Sequence, residues 1–193
     1  MKTKKRTIGV VVTGTEHETI PNLFFRMMSF TMKIADLFGN YSNKNFNTLN
    51  LQKGQVVVDY GCGPARYIKN ASEAVGTKGK VLAVDIHPLA IKNVEQIAKK
   101  YGLKNVEAFL ADDYSCAIPN NTADVVYALD MFHMIEQPVN LLTELARIVK
   151  PDGSVIIEDG HQPRVKTIFK ITDSGLFNIV NENKHHVVCI PKG

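Results

Sequence analysis

The run Val56-Val57-Val58-Asp59-Tyr60-Gly61-Cys62-Gly63-Pro64 constrains this chain more than any other stretch. A short unbroken series of β-branched residues suits a strand buried on both faces, the situation of a parallel sheet covered by helices. The strand then meets two glycines. A glycine pair at the carboxyl end of a strand, followed by a helix, lets a ligand lie against bare backbone, and open α/β sheets bind their ligands at that end. The run therefore predicts a small-molecule site at its tip.

A dinucleotide is the obvious ligand, and with it an NAD-dependent oxidoreductase, but three details argue against both. The dinucleotide fingerprint has a third small residue where this chain has Arg66, whose bulk keeps a helix off the strand. Pro64 has no N–H, so the loop loses one donor to a pyrophosphate. Asp59 brings a carboxylate to the place where a phosphate would lie, which favours a ligand bearing an ammonium group.

From Leu51 onward apolar runs alternate in the pattern of strand and helix, with strands expected near 55–60, 80–85, 105–110, 123–129 and 154–159. Helices are expected near 64–75, 88–101 and 138–149. Pro64, Pro88 and Pro138 each fall where a helix should begin, and Gly76, Gly102 and Gly153 mark ends or turns. A helix around 163–173 leads to LFNIVNEN and HHVVCIPK, two strand-like runs separated by too little chain for a parallel crossover. They must pair antiparallel. The fold class expected is α/β: a Rossmann-like, mostly parallel sheet flanked by helices and closed by a C-terminal antiparallel hairpin.

Upstream the pattern differs, and residues 1–50 read as a helical extension to a domain spanning 51–193. Residues 8–13 form a short strand or an extended lead-in. Pro21 to Phe38 carries Leu23, Phe24, Met27, Met28, Phe30, Met32, Ile34, Leu37 and Phe38, too many apolar residues for one stripe. This helix, broken near Ser29, should be covered on more than one side, as packing on the core or as an adaptable lid of Phe and Met. Gly39 ends it, and 40–50 reads as a polar linker.

Lys2, Lys4, Lys5 and Arg6 account for the whole net charge of +4 and leave 19 residues of each sign in the rest of the chain. A balanced body has no surplus for a nucleic-acid stripe, so no nucleic-acid partner is expected. No apolar run is long enough for a membrane span, and Cys62, Cys116 and Cys189 are too scattered for a disulfide framework or a zinc site. A cytoplasmic protein without a metal is expected. His185 and His186 point to opposite faces of a strand and share no metal.

VVVDYGCGPARYI, VLAVDI closing on Asp85, LADD around Asp112, DVVYALDMFHMIEQP and ELARIVKPDGSVIIED together resemble the successive motifs of class I S-adenosylmethionine-dependent methyltransferases. The likeness is to the small-molecule branch related to ubiquinone and menaquinone biosynthesis. It implies S-adenosylmethionine as cofactor and a small, apolar or aromatic acceptor. It also implies residue roles: Asp59, Gly61, Cys62 and Gly63 at the methionine part, Asp85 on the ribose hydroxyls with Ile86 and His87 beside it, Asp112 with neighbouring Asp113 at the adenine, and Leu129 as a backbone contact. Asp85 has a plainer alternative as a helix cap, and Cys62 as a small packing residue. His133 and His161 are the candidate bases, needed only when the acceptor arrives protonated. The Asp/Asn-Pro-Pro-aromatic motif of enzymes that methylate DNA amino groups is absent, and three scattered cysteines do not suit arsenite. With little chain on the acceptor side, the N-terminal helix, a second copy or a partner protein must complete the pocket. The alternative function is a cofactor-binding subunit of a larger assembly.

Overall fold

The structure, a computed structural model, describes residues 21–38 and 46–193. The expected strand or lead-in at 8–13, the end of the first helix at Gly39 and most of the linker lie outside those residues. Strands β1 (Val56–Tyr60), β2 (Lys80–Asp85), β3 (Val106–Leu110), β4 (Ala123–Ala128), β5 (Val149–Glu158), β6 (Phe177–Glu182) and β7 (His186–Pro191) form one seven-stranded sheet in the order β3-β2-β1-β4-β5-β7-β6. β3 through β5 run parallel, and β7 pairs antiparallel with both β5 and β6. This is the expected mostly parallel sheet with its reversed final hairpin.

Residues of β1 alternate between two apolar layers because successive side chains point to opposite faces. Val58 and Tyr60 join the layer formed with helix α4 (Pro138–Ile148), whereas Val57 joins the layer formed with α2 (Ile68–Val75) and α3 (Pro88–Tyr101). Helix α5 (Arg164–Asp173) adds Ile171 to the first layer. Both faces of the central strands are thus dry, as the valine run requires.

Several element boundaries differ from expectation. The helix expected from 64 begins at Ile68, because Gly61, Gly63 and Ala65 adopt φ of +81°, +50° and +66°, and such a zigzag cannot continue into right-handed helix. Pro64 therefore sits in the loop, while Pro88 and Pro138 do stand in the first turns of α3 and α4. The first helix, α1 (Asn22–Phe38), runs through Ser29 without a break. Within the linker, Phe46 and Leu49 are buried in the α2–α3 layer. β5 reaches back to Val149, with an irregularity in its pairing to β4 between Ala123 and Val125. Gly153 lies inside that strand, where a Cβ would come within 2.9 Å of the Asp124 carbonyl oxygen.

Candidate cofactor site

β1 is flanked by β2 on one side and β4 on the other, so the chain's order reverses there, and a crevice opens beyond the carboxyl ends of such strands. A cavity of about 370 Å³ occupies it. Its floor is the glycine loop, and its cover is α1, which contributes Phe25, Met28 and Met32. Phe25 stacks on His87 with ring centroids 4.3 Å apart.

The glycine loop has few donors left for a ligand. The N–H groups of Gly61 and Cys62 both donate to the Val84 carbonyl at 2.8 and 3.0 Å, and that of Ala65 to the Cys62 carbonyl at 3.0 Å. Gly63 N–H donates to the Asp85 carboxylate at 2.8 Å, and Pro64 has no N–H. The second Asp85 oxygen accepts from His87 N–H at 2.8 Å. With α2 starting only at Ile68, none of the N–H groups from Gly61 to Ala65 is available for a pyrophosphate. The cavity wall instead carries Asp85, Asp112, Asp113 and Asp130, against one guanidinium, Arg66. Arg66 lies 3.6 Å from Asp130.

Asp59 does not supply the exposed negative charge expected of it. Strand alternation turns it toward the same face as Val57, and it is only 2% exposed and does not line the cavity. Burial, and secondarily the Asp85 charge, push its carboxyl up to about 8, with Tyr127 opposing them weakly. Its Oδ2 and the Tyr127 hydroxyl are both buried without a partner at good hydrogen-bond geometry. The acidic character survives through another residue, Asp130, with φ +57° and an N–H held by the Glu158 carboxylate at 3.0 Å.

A methyltransferase-domain family model matches residues 51–189. The chain belongs to that family. It is related to demethylmenaquinone methyltransferases, and the methyltransferase-domain cofactor is S-adenosylmethionine. The demethylmenaquinone methyltransferase of Geobacillus sp. strain WCH70 is 31% identical over 115 residues, covering 60% of this chain and 49% of the relative. The chain spans about half the length of the curated relatives it matches. A SAM-dependent methyltransferase from Aquifex aeolicus superposes with a TM-score of 0.67 at 28% identity, over 76% of this chain and 87% of that one. A Methanococcus maripaludis protein described as a putative methyltransferase shares the fold, with a TM-score of 0.72 over 91% and 96% of the two chains at 13% identity.

In this methyltransferase domain, Gly61, Cys62, Gly63, Asp85, Ile86, Asp112, Asp113 and Leu129 all line the cavity. The α3 cap is His87, whose ring Nδ1 accepts from Leu89 N–H at 3.1 Å, which leaves Asp85 to bridge the glycine loop and the start of α3. Burial pushes the Cys62 thiol well up, in keeping with packing. His133 and His161 meet edge to face with centroids 5.0 Å apart but do not line the cavity. Burial, with His161 next in size, lowers His133 to about 4, and its Nδ1 is buried without a partner. Asp159 is engaged by Arg164 at 2.7 Å.

Sequence reasoning missed Asp130, Tyr67, Met131 and Met134 as cavity residues, and took Arg66 only as an obstacle. The Tyr67 hydroxyl donates to Asp130 at 3.2 Å. One signal was available: an aspartate just beyond a buried strand tolerates the left-handed turn found there.

Proposed function

We propose that the chain is an S-adenosylmethionine-dependent methyltransferase acting on a small, apolar or aromatic acceptor. The observation that carries this reading is the closed set of N–H groups in the glycine loop beneath a cavity walled by four carboxylates: it has acceptors for hydroxyl and ammonium groups and no cradle for phosphate. The cavity volume falls in the range of ordinary ligand pockets. Asp85 is suited to the ribose hydroxyls, Asp112 to the adenine amino group, and the loop backbone with Asp130 to the methionine part. When bound, the cofactor supplies a sulfonium methyl that is already strongly electrophilic. The residues then have to align the acceptor and exclude water, for which α1 with Phe25, Met28 and Met32 serves as the cover. A quinone precursor of the sort named in the demethylmenaquinone relatives suits the apolar part of this lining, which includes Met131, Met134 and Ile135.

His133 and His161 could assist only through a shift that brings them to the cavity, and a base near 4 is a weak acceptor of protons at neutral pH. A second reading, a cofactor-binding subunit completed by another protein, draws support from exposed Val165 and Phe169 on α5. The test is calorimetry with S-adenosylhomocysteine and NAD, followed by transfer of labelled methyl to a panel of phenols and hydroquinones. Binding of S-adenosylhomocysteine alone with label in the acceptor is the expected result. Uptake of NAD and indifference to the homocysteine compound would overturn the reading, whereas binding without turnover would favour the subunit.

A further inference from the structure

On the outer side of Phe25 lies a second cavity of about 350 Å³, walled by α1 and α3. Ser29 lies on its wall, 7% exposed, with a buried hydroxyl that has no hydrogen-bond partner. A serine inside a helix ordinarily satisfies its hydroxyl on a carbonyl one turn back, as Thr31 does with the Met28 carbonyl at 2.9 Å. Ser29 does not, so an unsatisfied donor is left sealed at the wall of a groove large enough to hold a ligand. Arg26 from α1 and Lys92 from α3 line the same groove, and neither forms an ion pair among the described residues. Phe30 and Leu89 give it apolar walls, and Asn93 and Gln96 add neutral donors.

We propose that this groove is a second ligand site, taking an oxyanion group (carboxylate or phosphate monoester) carried on an apolar body. Two cations on facing helices attract such a group, and the Ser29 hydroxyl, once its side chain rotates from the closed position into the groove, donates to one of its oxygens. The aliphatic or aromatic remainder lies against Phe30 and Leu89. None of the carboxylates that wall the inner cavity takes part, so the site stands apart from the proposed cofactor pocket. The two share only Phe25 as a lining residue.

The test uses octyl phosphate below its micelle concentration as probe, with octyl glucoside as the neutral counterpart and inorganic phosphate as the headgroup alone, all without cofactor. Octyl phosphate should shift the amide resonances of Ser29, Leu89 and Lys92. By calorimetry it should bind about tenfold more tightly than octyl glucoside or inorganic phosphate, and R26Q/K92Q should weaken it about tenfold while R26K/K92R retains it. S29A should weaken it about threefold without lowering Tm, since it removes an unpartnered hydroxyl. Saturating S-adenosylhomocysteine should not displace the probe. Equal affinity for octyl glucoside, unchanged binding in R26Q/K92Q, displacement by S-adenosylhomocysteine, or no binding at all would each overturn the site. So would attachment to phosphatidylglycerol vesicles without uptake of octyl phosphate, which would assign these residues to a membrane surface.

Discussion

The two rims of the inner cavity are built on different principles. On the β1–β2 rim, the loop amides from Gly61 to Ala65 all have acceptors, and Asp85 bridges two backbone segments with one oxygen each. On the β4–β5 rim, Asp130 holds a left-handed turn and Met131 and Met134 form the wall, and behind that wall the His133 Nδ1 is buried without a partner. The first rim is pre-organised by a closed network, which suits a ligand of fixed shape. The second is adjustable, with thioethers that repack around varied partners, which suits an acceptor of unspecified outline.

The largest effect on ligand affinity belongs to the pre-organised rim. D85A removes the proposed acceptor of the ribose hydroxyls and orphans two N–H groups, so S-adenosylhomocysteine affinity should fall about 100-fold, roughly 3 kcal/mol, as for loss of a charged hydrogen-bond partner. D130N on the other rim should cost about tenfold. Calorimetry on both variants checks the order, and a larger loss in D130N would reverse the contrast.

Gly61 connects the rims, so its substitution sharpens the comparison. A Cβ there would stand 2.7 Å from Met131 Cγ, and φ is +81°. G61A should lose about 2 kcal/mol, lowering Tm by roughly 6 °C. Adding M131A relieves the contact but not the backbone strain, so partial recovery of Tm separates the two causes. Full recovery would mean that the turn itself is unstrained.

Much of the fold and of the β1–β2 rim was legible in the sequence because its signals are local. The valine run, Asp85 at a strand end and the prolines at 88 and 138 each announce their structure within a few residues. The β4–β5 rim was less legible. Asp130 becomes a cavity residue because Glu158, 28 residues later, holds its N–H. Asp59 misled for a related reason: proximity to the glycines suggested an exposed charge, but the parity of the strand turns it inward. Ala65 was unreadable as a turn residue, since alanine carries no sequence signal for the positive φ that delays α2.

That inward turn of Asp59 has a measurable consequence. A carboxyl whose folded value is raised to about 8 from 3.8 contributes stability below the unfolded value and loses it as pH rises toward 8. Wild-type stability from urea melts should therefore decline between pH 5 and 8, by at most about 1.4 kcal/mol per pH unit from this group. D59N should flatten the decline and raise stability at pH 8. An identical slope in both proteins would mean that Asp59 is ionised in the fold and that β1 carries a buried charge after all.

The smallest effect expected lies behind the opposite rim, and its sign is reversed. His133 is lowered to about 4, by burial first and His161 second, against the opposing charge of Asp130. Between pH 6.5 and 4 the unfolded chain binds a proton there that the folded chain refuses, so acidification through this window destabilises the fold. The ring is only partly covered, and solvent screening limits the loss to about 1 kcal/mol. Melts of wild type and H133N at pH 7.0 and 5.0 should show a smaller acid-side loss in the variant, with the remainder shared by His186, which burial also lowers. Equal losses in the two proteins would mean that His133 already finds a proton acceptor in the fold, and the β4–β5 rim would then be as closed as the glycine rim it is contrasted with.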